Sequence, residues 1–147
     1  MISSAEREEL ETKELRLLLF SVCGIRFAAD ADQVSTLREC NLQESVPPAI
    51  PFHEAIGYET GPVAYRRPEI CTITGEAGQC SFMIESPEDI ATVAWDDLQP
   101  LPTLVEPFAV RWGIWAGIPG RHGIRLVVDL DRLATSRNLW RAQGDIS

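Results

Sequence analysis

Apolar and polar residues alternate along much of this chain with the two-residue period of half-buried strands. Leu17-Leu18-Leu19-Phe20-Ser21-Val22-Cys23 is a run of large apolar residues. Gly24 supplies a turn, and Ile25-Arg26-Phe27-Ala28 alternates on the way back. This pattern predicts a β-hairpin. Asp30 to Leu37 reads as a short strand or a turn leading into Val34 and Leu37. A second hairpin is predicted from Glu69–Thr74, the turn Gly75-Glu76-Ala77-Gly78 and the returning Gln79–Ile84.

Between the hairpins lies a proline-rich stretch, 46–68, with Pro47, Pro48, Pro51, Pro62 and Pro68. Proline fixes φ and removes a donor, so no long central element is expected there. A structureless loop of that length is uncommon in a small domain, so short strand pieces are expected, for example around Val63–Tyr65. Ser86-Pro87-Glu88-Asp89 has the residues of a helix start, whereas Ile90–Trp95 has the β-branched content of a strand. Pro100 and Pro102 close that segment. Ile124–Val128 is expected to be a buried strand, and Asp129–Trp140 carries a partial apolar stripe that predicts a terminal helix.

Composition narrows the class. The 147 residues fit one domain, and 13 Lys and Arg against 22 Asp and Glu leave a net charge of −9. That balance argues against nucleic-acid binding, which needs a positive footprint. The longest apolar run, Leu17–Ile25, is too short to cross a membrane. The same run precedes Ala28-Ala29-Asp30-Ala31, which loosely resembles a signal-peptidase site, but the acidic residues 1–14 lack the positive start a signal peptide needs. Residues 1–14 are expected to be an acidic flexible tail and 142–147 a short tail, and the protein is expected in the cytoplasm with reduced thiols.

Candidate chemistry is sparse. Cys23, Cys40, Cys71 and Cys80 match no zinc spacing, and Cys23 and Cys80 read as small buried hydrophobes. No metal or cofactor is expected. The segment from Gly117 to Gly123 has the glycines of a phosphate loop without its Lys-Ser/Thr, and reads as a turn between strands. His53 and His122 read as exposed, and Glu85, Glu88, Asp89, Asp96 and Asp97 as a charged rim. A small hydrolase using His122 with a carboxylate is the enzymatic alternative, and a β-barrel module of an unrelated complex is another. Trp112 and Trp115 read as core, or as anchors of an interface. With no catalytic signature, the balance favours a non-enzymatic binding protein.

The order of these pieces resembles CheW-like domains over about residues 15–140. The first hairpin, Leu17 to Ala28 with Val34 following, resembles the family's opening. Glu69–Ile84 resembles its second-barrel hairpin, Asp97–Pro102 its acidic-apolar segment, Trp112–Gly117 a later strand, and Leu126–Leu133 its closing strand and last helix. One segment departs: Ile56–Pro68 stands where the family carries Gly-apolar-Asn-apolar-Arg-Gly, and the first barrel is expected to be reduced. The resemblance implies an all-β fold of two packed SH3-like β-barrels with a C-terminal α-helix, spanning residues 15–141. It implies an adaptor coupling chemoreceptors to the regulatory domain of a histidine kinase. Partner contacts are expected at Val34, Leu37, Arg66 and Arg67 near the barrel junction.

Overall fold

The computed structural model describes residues 13–40, 49–58, 63–103, 109, 111–121 and 123–141. The first hairpin forms as its pattern predicts: β1 (Glu14–Val22) pairs antiparallel with β2 (Ile25–Asp30), Val22 opposite Ile25. The two residues between them, Cys23 and Gly24, both take positive φ, at 57° and 76°. A two-residue turn of this hand matches the twist of the strands it joins. Glycine accepts that backbone freely, and Cys23 is the uncommon occupant. Beyond β2, a 3-10 turn at Ala31–Gln33 leads into β3 (Val34–Glu39), so the stretch 30–37 is both turn and strand.

Among the described residues of the proline-rich stretch before β5, the strand piece is β4 (Ile50–Pro51), and Val63–Tyr65 forms none. Pro51 occupies an outer strand, where its missing donor is tolerated. A single helical turn, α1 (Phe52–Ala55), follows. The second hairpin is β5 (Pro68–Gly75) and β6 (Gly78–Glu85), paired from end to end. The ambiguous Asp89–Ala94 is β7, a strand, and β8 (Gln99–Pro100) follows a 3-10 turn at Trp95–Asp97. β9 (Ile114–Gly120) and β10 (Gly123–Val128) flank the glycine-rich turn.

The predicted terminal helix is shorter than its apolar stripe suggested. α2 runs Leu130–Ser136, with the Asp129 carboxylate capping its start by accepting from the Arg132 N–H at 3.1 Å. Asn138, at φ 54°, turns the chain out. Leu139 donates to the Ala134 carbonyl at 2.8 Å and Asn138 to that of Thr135 at 3.2 Å, a left-handed C-terminal cap. The freed segment then pairs with β6, Gln79 and Arg141 exchanging backbone hydrogen bonds at 2.8 Å.

Among the described residues two sheets result, one of six strands in the order β7-β1-β2-β10-β9-β8 and one of four in the order β3-β5-β6-β4. The first hairpin belongs to the six-stranded sheet, whereas Ile56–Pro68 joins α1 to β5 within the four-stranded one.

Strand β1 is apolar on both faces, and each face serves a different core. Leu18, Phe20 and Val22 join the cluster between the sheets, with Phe27, Phe82, Ile73 and Leu133. Leu17 faces the other way, into a smaller cluster with Ala28, Ala116 and Val127. Val93 from β7 and Ile118 from β9, near opposite ends of the strand order, pack on that same small cluster. The six-stranded sheet therefore curls toward closure, and the Trp95 and Trp115 rings meet across the seam with centroids 5.7 Å apart. Phe52 of α1 is wholly buried and ties the two sheets together. Its ring stands edge-on to Phe20 at 5.0 Å and Phe27 at 4.9 Å in one sheet, and to Phe82 at 6.4 Å in the other.

Candidate functional site

A cleft of about 420 Å³ opens where the turn of the first hairpin meets the segment leading into β5. Ser21 to Gly24 form one wall, and Val63 to Arg66 with Glu85 form the other. The ring of Pro68 disfavours helical backbone at Arg67, the residue before it, so no helix carries the N–H groups here. The carboxylate of Glu85, the last residue of β6, accepts from the Arg66 N–H at 3.0 Å and from the Arg67 N–H at 2.9 Å. Ser86 donates back to the Arg67 carbonyl at 2.8 Å. On the opposite side, the Tyr65 hydroxyl lies 2.9 Å from His53 Nδ1 and accepts from the His53 N–H at 3.3 Å. The segment is thus pinned to α1 at Tyr65 and to β6 at Arg66 and Arg67, and both arginine side chains are left exposed.

Burial pushes the Tyr65 hydroxyl up to about 12, so it remains protonated at neutral pH and serves as a hydrogen-bonding group. Burial likewise pushes the Cys71 and Cys80 thiols up to about 12, and both behave as small core hydrophobes. Cys23 differs from its sequence reading, because the turn leaves it half-exposed. All four cysteines are free, and among the described residues no three His, Cys, Asp or Glu side chains gather to hold a metal ion.

A polar network braces the hairpin wall. Arg125, only 16% exposed, donates from Nη1 to the Phe27 carbonyl at 2.8 Å and to that of Phe20 at 3.4 Å. Its Nη2 donates to Glu88 Oε2 at 3.2 Å, and the Ser21 hydroxyl donates to Glu88 Oε1 at 2.5 Å. The Ser21 hydrogen bond, assisted by Arg125, holds the Glu88 carboxyl below its ordinary range. A carboxylate with a lowered folded-state value stabilises the fold above its unfolded pKa, about 4.3 for Glu, and that stabilisation fades as pH falls through the folded value. Glu88→Gln is accordingly expected to lower the urea midpoint at pH 7, and the gap from the parent chain should close toward pH 3. A gap independent of pH would show that the charge of Glu88 contributes nothing.

The four expected contact residues do not form one patch. Arg66 lines the cleft and Arg67 adjoins it. Val34 begins β3 and packs half-buried against the main core. Leu37, 38% exposed, lies further along β3, an outer strand of the four-stranded sheet, opposite Cys71. His122 lies outside the described residues, as do residues 1–12 and 142–147 of the expected tails. The sequence reading missed Tyr65 and Ser21 and placed Glu85 on a solvated rim. Trp112 packs on the main core, and Trp115 packs on the small one while also lining a surface cleft.

Among the described residues no helix is long and apolar enough to cross a membrane. No family model matches the chain, and no curated protein matches it. Solved structures do match. One is the crystal structure of the scaffolding protein TtCheW from Thermoanaerobacter tengcongensis, at a TM-score of 0.58 and 9% identity, covering 79% of this chain and 89% of that one. The likeness lies in the backbone and hardly in the residues, and it gives this chain a CheW-like fold: mostly β, with curled sheets and a short C-terminal helix.

Proposed function

We propose that this protein is a non-enzymatic CheW-like adaptor, joining a chemoreceptor to the regulatory domain of a histidine kinase through protein–protein contacts. The observation that carries this reading is the likeness of fold to a scaffolding protein over about four-fifths of the chain. The cleft fits the role, because it is walled by both sheets and carries the exposed Arg66 at its rim. Arginine suits protein interfaces through its planar, multidentate donor set. In this reading Val34, Leu37, Arg66 and Arg67 are partner contacts, in two groups on the four-stranded side.

The test is co-purification of the full chain with a chemoreceptor signalling tip and, separately, with the kinase regulatory domain. Binding to both is expected, and an Arg66→Ala, Arg67→Ala double variant should weaken at least one by about tenfold, a typical loss for an arginine anchor. Binding to neither would overturn the adaptor role. Undiminished binding by the double variant would remove the arginines from the interface.

A further inference from the structure

The seam of the six-stranded sheet leaves an aromatic cleft on the surface. Trp95, Leu98, Gln99, Pro100, Trp115 and Ala116 line it, and its volume is about 190 Å³. Small-molecule pockets run to roughly 300–1,000 Å³, so this cleft suits one long side chain rather than a free metabolite. Trp95 is 39% exposed, unusual for the largest apolar side chain. Asp96 and Asp97 follow it in the same 3-10 turn, and both are exposed. One cation already uses this surface: Lys13 Nζ stands 5.8 Å from the centre of the Trp95 ring. The lysine is held there by its own backbone, its carbonyl accepting from the Trp95 N–H at 3.0 Å.

We infer that this cleft receives an arginine side chain from a basic, extended segment of a partner protein, stacked on the exposed Trp95, in whose turn Asp96 and Asp97 follow. The aromatic faces attract a cation. Asp96 and Asp97 do not line the cleft, but they give the exposed turn that carries Trp95 the complementary sign, which hastens encounter. A planar guanidinium stacks on an indole better than an ammonium does, so a partner arginine outcompetes Lys13 for the ring. The inference is independent of the adaptor reading, since it specifies only the chemistry of the incoming segment.

The probe is a short fluorescein-labelled peptide with two arginines among serines and glycines, matched with a peptide carrying citrulline in their place. Fluorescence anisotropy against the full chain should show saturable binding of the arginine peptide and at least tenfold weaker binding of the citrulline one. Trp95→Leu should weaken the arginine peptide about tenfold. An Asp96→Asn, Asp97→Asn double variant, which touches no core residue, should weaken it severalfold and flatten its salt dependence. Lys13→Ala should tighten it by removing the competing cation. Equal binding of the two peptides, no saturable binding, or an unchanged affinity in the Asp96/Asp97 double variant would overturn the inference. That double variant also decides the matter if Trp95→Leu fails to fold.

Discussion

Phe52→Ala is expected to destabilise the protein by about 3–5 kcal/mol, the range for deleting a fully buried phenylalanine. Small domains hold only about 5–15 kcal/mol in total, so this one change could remove much of the fold's margin. The size of the effect follows from position. Phe52 projects from a single helical turn into the space between the sheets, where it meets Phe20, Phe27 and Phe82. Its removal leaves a void that neither sheet can fill, because each is fixed by its own hydrogen-bonded ladder. Chemical denaturation should show a large fall in midpoint. Phe52→Leu, which refills part of the space, should recover a substantial share of it. A loss under 1 kcal/mol for Phe52→Ala would mean that the sheets close onto each other without it.

Gly113→Ala is expected to cost about 3 kcal/mol or more, although it adds only one carbon. Gly113 has φ +76°, a conformation that disfavours any side chain. A Cβ built there would lie 2.6 Å from the Asp129 carbonyl oxygen and 3.1 Å from the Leu133 nitrogen, both backbone atoms of the α2 region. Backbone cannot swing aside as a side-chain tip can. The Gly113 carbonyl also accepts from the Asp129 N–H at 2.7 Å, so moving away would break the contact that seats the helix start. Thermal unfolding followed by circular dichroism checks this, and an unchanged melting temperature would show that α2 shifts without cost. Ala116, which already has a Cβ on the neighbouring strand, is the control for local crowding: Ala116→Gly should have the smaller effect.

These two residues mark the limit of what the chain disclosed before folding. Both hairpins, β1–β2 and β5–β6, were legible because their pairing is local and their alternation is strong. The terminal helix was legible from its apolar stripe, but not its cap at Asp129. Phe52 was not, since it lies in a proline-rich stretch with no period, and its burial is conferred by two sheets built elsewhere in the chain. Helix α2 was overextended because Trp140 continues the apolar stripe of Leu130, Leu133 and Ala134, while Asn138 turns the backbone before it. At the site, Arg66 and Arg67 were legible as exposed cations. The carboxylate of Glu85 that fixes their backbone was not, because a lone acid after a strand carries no sign of the amides it will meet. Trp95 gave no sign either: it opens the turn after β7, and only closure of the sheet brings Trp115 to it.

The place of β10 in the strand order has a consequence for how the chain reaches this state. β10 lies parallel to β2, and Arg125 bonds the Phe27 carbonyl across 98 residues of sequence. The four-stranded sheet, spanning β3 to β6, is wholly contained in that interval. On an elongating ribosome, β2 is synthesised long before the strand that will cover its open edge. The inner sheet can complete its hairpin while the outer one still waits. Non-local pairings of this kind slow folding. The protein therefore has a period in its synthesis when the Phe27 strand is vulnerable to pairing with the wrong neighbour, and that period ends only when Val128 emerges.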